Sequence, residues 1–205
     1  MGFYSQVIAP RLIDAAMSQP LFSEYRRQVL ADVTGEVLEI GFGSGVNLSY
    51  YPEHLQKLIT IDANAGMNTL AKKRISSSHI QVDHRVLNGE NLPMADHTFD
   101  SVVSTFCLCS IANVAQAIKE IHRVLKPGGR FFFLEHGLSN EPNIQVWQHR
   151  LNSISKVIGD GCNINRDMKQ LVSDQFENVT VEQFYVPKAP KIGGYLYKGV
   201  AVKSA

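Results

Sequence analysis

The stretch Val37-Leu38-Glu39-Ile40-Gly41-Phe42-Gly43-Ser44-Gly45 constrains this chain more than any other. It opens as a short apolar run and closes with glycine at every second position. A buried strand that feeds a glycine turn and then a helix is how α/β proteins present backbone to a nucleotide-like ligand. Such a site has a companion, an acidic residue about 20 positions on at the end of the next strand. Asp62 stands there, closing the apolar run 58–61.

The flanking pattern extends the α/β reading. Residues 3–17 and 21–30 carry apolar side chains three or four apart, which predicts a helical prelude that covers one edge of a site or packs on the sheet. Strands are predicted at 37–40, 58–62, 80–86, 99–105 and 130–135. Helices are predicted after Gly45, where Pro52 stops a short one, from an Asn64 cap through Ile75, and over 111–125, where Pro127-Gly128-Gly129 reads as the terminator. Alternating strands and helices imply a parallel sheet with right-handed crossovers. Helices follow at about 143–158 and from a cap at Asn165. The runs 179–186 and 195–202, joined by a short Pro/Gly loop, then read as an antiparallel hairpin. The expected fold is α/β: a Rossmann-like, seven-stranded, mostly parallel sheet with a C-terminal antiparallel hairpin and helices on both faces. With 205 residues and no repeat or linker, the chain reads as a single domain over 1–205, with a helical cover at 1–34, a cofactor-binding core at 35–136 and C-terminal helices and hairpin at 137–205.

Composition excludes several partners. A net charge of +1 without a basic stripe argues against nucleic acid. No apolar run approaches the roughly 20 residues of a membrane span, and the N-terminus does not read as a signal peptide. Cys107, Cys109 and Cys162 lack disulfide-framework spacing, so a cytoplasmic location is expected. Cys107-x-Cys109 has no second pair and the seven histidines show no spaced cluster with cysteines or carboxylates, so no metal is expected.

The charge of the glycine loop selects its ligand. A dinucleotide fingerprint places its third glycine three positions after the second, where this chain has Val46. Glu39 would also set a carboxylate beside a pyrophosphate. S-adenosylmethionine carries an ammonium and a sulfonium and no phosphate, so an acid at this point is favourable.

Four ordered motifs, Glu39-x-Gly41-x-Gly43-x-Gly45, Asp62, Phe99-Asp100 and Arg123-Val124-Leu125-Lys126-Pro127-Gly128-Gly129, resemble those of class I S-adenosylmethionine-dependent methyltransferases over about residues 35–136. The resemblance implies that Gly41, Gly43 and Gly45 let backbone approach the methionine part of the cofactor and that Glu39 orients its amino group. It implies that Asp62 accepts the ribose hydroxyls, with Ala63 beside it, and that Met67 packs on adenine. Asn88-Gly89-Glu90 matches the loop at the adenine edge, with Asn88 where the family usually has Asp. Thr105 and Phe106 fall where backbone contacts the methionine end. The cofactor implied is S-adenosyl-L-methionine, with S-adenosyl-L-homocysteine as its product.

A narrower resemblance runs through Thr105-Phe106-Cys107-Leu108-Cys109-Ser110, Glu135-His136, Trp147-Gln148, Asp160-Gly161-Cys162-Asn163 and the closing 194–201. These stretches are similar to the membrane-associated alkyl thiol methyltransferases of animals and their soluble bacterial relatives. The animal enzymes begin with a hydrophobic anchor that this sequence does not show; peripheral membrane contact stays open. The resemblance implies a small, apolar acceptor, with a thiol as one candidate. Alternatives are a lipid or quinone-precursor methyltransferase, or a module that binds the cofactor without turnover. Methyl transfer needs in-line alignment and exclusion of water. Cys109-Ser110 after strand four and Glu135-His136 after strand five lie near the expected methyl position. His136 is the expected general base, since imidazole titrates near neutrality. Phe3, Tyr4, Phe22, Tyr25, Trp147, Tyr185 and Tyr195, outside the core strands, are compatible with an apolar pocket. Oligomeric state is not legible.

Overall fold

A computed structural model describes residues 2–204. Its centre is a seven-stranded sheet in the order β3-β2-β1-β4-β5-β7-β6. The strands are β1 (Val37–Ile40), β2 (Lys57–Asp62), β3 (Gln81–Val86), β4 (Phe99–Thr105), β5 (Leu125–His136), β6 (Asn178–Tyr185) and β7 (Tyr195–Val202). The first five are mutually parallel, and β7 inserts antiparallel between β5 and β6. The expected fold is observed, hairpin included.

Sequence order reverses at β1. The chain runs outward through β2 and β3, then returns to place β4 on the other side of β1. Crossovers on opposite sides leave a crevice at the carboxyl ends of β1 and β4, where open α/β sheets bind ligands. The central strands are buried on both faces, and so read as continuous apolar runs: Phe131, Phe132 and Phe133 alternate between two cores, with Phe131 and Phe133 against α4 (Val114–Val124) and α6 (Met168–Ser173), and Phe132 against α2 (Ser23–Leu30).

Several boundaries differ from the sequence reading. Helix α4 is capped by Asn113, whose side chain accepts from Gln116 N at 3.2 Å, and it ends at Val124. Leu125 already pairs with Phe99, and the register between β4 and β5 shifts before Ser101 meets Arg130. Pro127-Gly128-Gly129 therefore makes a bulge inside β5 instead of terminating the helix. Gly128, at φ +76°, donates to Lys203 O, which pins the bulge to the chain after β7. The last helix, α6, takes Asp167 as its cap in place of Asn165, because Asp167 accepts from Gln170 N at 3.0 Å. The segment after Gly45 is a 3-10 turn, Val46–Ser49. Asn64 does cap, through Gly66 N, a 3-10 turn that runs into α3 (Asn68–Ser76).

The prelude is a π-helical turn, Tyr4–Ile8, continuing into α1 (Ala9–Met17). Pro20 opens a 3-10 turn that leads into α2. Helix α5 (Pro142–Ile158) follows β5. Among the described residues no helix is long and apolar enough to cross a membrane.

Candidate active site

A cavity of about 350 Å³ opens at the carboxyl ends of β1, β2 and β4. The glycine loop forms one wall. Gly41, Gly43 and Gly45 all adopt positive φ, at 74°, 57° and 80°. The requirement is strictest at Gly41, where a Cβ would stand 2.1 Å from Cys107 Sγ. Backbone thus lies against the cavity because no side chain fits there. Gly41 and Gly43 line the cavity. Gly45 does not; it donates to Phe42 O and starts the following turn, a local structural task.

Asp62 ties this loop to β2. Its Oδ2 accepts from Gly43 N and its Oδ1 from Asn64 N, each at 2.7 Å. Each carboxylate oxygen keeps acceptor capacity toward the cavity that it lines. Burial pushes the Asp62 pKa up, against the lowering effect of those two backbone donors. Ala63, Met67, Asn88, Gly89 and Glu90 continue the lining, and Thr105 and Phe106 close it at the end of β4. Asn88 folds its own loop, its side chain accepting from Glu90 N at 3.0 Å. Phe106 has φ +53°, a conformation costly for a non-glycine residue. Its ring packs edge-on against Phe22 and under Arg26, which leaves its backbone at the cavity.

Glu39 is 1% exposed in the middle of a buried strand. Asn47 Nδ2 donates to its Oε1 at 2.7 Å and Tyr51 OH to its Oε2 at 2.9 Å. Burial raises its pKa to about 7, offset in part by those donors and by the nearby Arg26. Arg26 is a candidate site residue that motif reading missed. It reaches from α2 to donate to Asn47 Oδ1 at 2.5 Å and to Thr105 Oγ1 at 3.0 Å, and its buried Nε has no partner. A signal existed, since Arg26 lies three and four positions before Val29 and Leu30 on the buried face of its helix.

The prelude covers the cavity as well as packing. Ile13, Asp14, Met17 and Arg26 all line it. Asp14 Oδ1 accepts from Ser44 Oγ at 2.5 Å and pairs with Arg74 at 2.8 Å, which fastens α1 to the glycine loop. Ser5 donates to Asp160 Oδ1 at 2.7 Å, and Asn64 Nδ2 donates to both Ser5 O and Asp160 Oδ2.

Other expected residues are not brought to the cavity. His136 ends β5 but is absent from the lining, with its Nε2 2.9 Å from Cys162 Sγ. Burial lowers its pKa to about 4. Glu135 is fully buried and organises the loop after β4, accepting from Ser104 Oγ, Cys107 N and Leu108 N. Of the aromatics, none named in the flanks lines the cavity. Tyr25 packs on Phe184 and Tyr185 on Tyr195, while Phe3 and Trp147 are exposed. One histidine does cluster with cysteines, although the spacing in sequence shows no such cluster: Cys109, His136 and Cys162 place their ligand atoms within 4.8 Å of one another.

The lining suits a cation that carries a carboxylate. Asp14, Glu39, Asp62, Glu90 and Asp160 oppose the single guanidinium of Arg26. A phosphate-bearing ligand would meet that acidity unfavourably. An ammonium beside Glu39, ribose hydroxyls at Asp62 and a carboxylate toward Arg26 would each find a partner.

A family profile described as a methyltransferase domain matches residues 38–133. The thiol S-methyltransferase TMT1B of Rattus norvegicus is 35% identical over 191 residues, covering 87% of this chain and 77% of that protein. A more distant relative, the demethylmenaquinone methyltransferase of Lactiplantibacillus plantarum, is 32% identical over 145 residues, or 66% of this chain and 61% of that one. The fold of the CurJ carbon methyltransferase superposes with a TM-score of 0.72 at 15% identity, over 100% of this chain and 62% of that chain. The glycine-loop motif and Asp62 meet at one acidic cavity, and the similarity extends well beyond them. The chain belongs to the class I S-adenosylmethionine-dependent methyltransferases.

Proposed function

We propose that this methyltransferase acts on a small apolar thiol, in a cytoplasmic setting where its three cysteines stay reduced. The observation that carries the acceptor is the similarity to thiol S-methyltransferases, which covers 87% of this chain and not the shared core alone. The cavity is consistent with it. Its lining holds Ile13, Met17, Ile111 and Ala112 beside Cys107 and Ser110, and no histidine, lysine or tyrosine. A thiol needs least help from a base, since thiolate is populated near neutrality and is intrinsically nucleophilic. In this reading His136 is not asked to take the acceptor's proton.

S-adenosylmethionine, when bound, supplies a methyl carbon made electrophilic by its sulfonium. Glu39 receives the ammonium and Arg26 the carboxylate. Asp62 accepts from the ribose hydroxyls, while Met67 and the loop Asn88-Gly89-Glu90 hold the base. The backbone at Gly41, Gly43, Thr105 and Phe106 sets the depth of the methionine end. Helix α1 excludes water through Ile13, Asp14 and Met17, and the Tyr4–Ile8 turn holds it in place through Ser5.

Incubation with labelled S-adenosylmethionine and a panel of alkyl thiols, aryl thiols, phenols, quinone precursors and phospholipid vesicles tests the acceptor. Thioether products are expected from the thiols. Turnover confined to vesicles, phenols or quinone precursors would overturn the reading, and cofactor binding with no product from any arm would point to a non-catalytic module.

A further inference from the structure

Three segments that are remote in sequence meet behind the cavity wall. Cys109 lies in the loop after β4, His136 is the last residue of β5, and Cys162 lies in the turn after α5. The two sulfurs and a ring nitrogen of His136 lie within 4.8 Å of one another. Cys109 is buried and the other two are partly buried. None of the three lines the cavity, so the cluster is separate from the cofactor site. The partition between them is one residue thick, since a Cβ on the lining residue Gly159 would stand 2.8 Å from Cys162 Cβ.

The surroundings hold these side chains in place. Asn163 donates to Cys109 O from its backbone at 2.9 Å and from its side chain at 3.0 Å, which fastens the Cys162 turn to the Cys109 loop. Asn152 Oδ1 accepts from Ile164 N at 3.0 Å, anchoring the same turn to α5. Each sulfur has a serine hydroxyl nearby, Ser110 Oγ at 3.5 Å from Cys109 and Ser155 Oγ at 3.6 Å from Cys162. Hydroxyl donors of this kind stabilise thiolates, as outer partners do in metal sites.

We propose that Cys109, His136 and Cys162 form a three-ligand site for one soft divalent cation of the zinc class, with a fourth position left open. Two thiolates and an imidazole are the donor set that zinc prefers. Metal–ligand distances of roughly 2.3 Å to sulfur and 2.0–2.1 Å to nitrogen require donor atoms a little under 4 Å apart, so small side-chain rotations complete the triangle. On binding, each thiol releases its proton to solvent and His136 coordinates through the Nε2 lone pair. The two thiolate charges cancel the charge of the cation, which avoids leaving a net charge in a half-buried place. The ion would clamp the ends of β4, β5 and α5 together and stiffen the wall that carries Gly159 and Asp160. This inference is independent of the acceptor's identity.

The full chain, reduced and stripped with a chelator, can be titrated with Co²⁺. A sulfur-to-cobalt charge-transfer band and tetrahedral d–d bands saturating at one equivalent, then displaced by Zn²⁺, are expected. Cys109→Ser, Cys162→Ser and His136→Asn should each weaken binding at least about tenfold, the lower end of what even outer-shell changes cost. Cys107→Ser should bind as the parent does. Circular dichroism separates ligand loss from misfolding. Absence of a thiolate band at one equivalent in the parent protein overturns the site, as does an unchanged spectrum in folded Cys162→Ser. Recovery of a Cys109–Cys162 disulfide whose reduction restores no metal uptake overturns it too.

Discussion

Asn64 and Asp160, 96 positions apart, meet with the Asn64 amide nitrogen 3.0 Å from the Asp160 carboxylate. Both residues line the cavity, and both also bind Ser5 of the N-terminal turn. The contact joins the end of β2, the end of α5 and the prelude across the cavity. Gly66 completes the join, because Gln6 O packs where its Cβ would be.

Asp160→Ala should loosen this closure. The lost bonds are to a partly buried carboxylate, so a loss of about 1 kcal/mol in cofactor binding is expected, roughly fivefold in Kd. Calorimetry reads the affinity, and amide hydrogen exchange should show faster exchange at residues 4–8. Unchanged exchange there would mean that the prelude is held by packing alone.

Asp62→Ala removes the acceptor of Gly43 N and Asn64 N as well as the proposed ribose acceptor. Hydrogen bonds to a charged group contribute about 1.5–3 kcal/mol each, so cofactor affinity should fall by at least tenfold. An affinity equal to that of the parent would remove Asp62 from the site.

Cofactor affinity should depend on pH through Glu39. Burial, helped by the nearby Asp62, holds its pKa at about 7 in the free protein, against Tyr51, Asn47 and Arg26, which lower it. Only the ionised form pairs with the ammonium, so affinity should rise with pH through about 7 and binding should release a proton. The rise ends near pH 7.7–8.0, where an α-amino group loses its own proton. Calorimetry in buffers of different ionisation heat measures the release. Glu39→Gln should flatten the profile at low affinity, and a parent profile flat from pH 6 to pH 7.5 would refute the pairing.

Gly41→Ala should destabilise the fold itself. The position combines φ +74° with a Cβ 2.1 Å from Cys107 Sγ and 2.2 Å from Cys107 Cβ. The left-handed conformation alone costs about 1–2 kcal/mol, and relieving the overlap adds to it. A lowered Tm is expected, and Cys107→Ala should not rescue it because the Cβ contact remains. Full stability would mean that the loop shifts freely.

The sequence by itself determined the five parallel strands, the glycine loop and Asp62. Each is a local matter: the central strands, buried on both faces, need nearly unbroken apolar runs, the exposed edge strand β3 shows only alternation, and a left-handed turn needs glycine. It also carried the hairpin, since Pro187 to Gly194 is too short for a crossover. Boundaries set by competing local signals were less legible. Asn165 and Asp167 are both good caps, and Pro127-Gly128-Gly129 suits a terminator or a bulge equally; pairing of Leu125 with Phe99 decided the second. Only the tertiary structure set Arg26 beside Glu39 and Thr105, Asn64 against Asp160, and His136 between two cysteines and away from the cavity. These contacts join segments up to 96 positions apart, and no periodicity records them, because crossover and strand order alone decide which loop ends share an edge of the sheet.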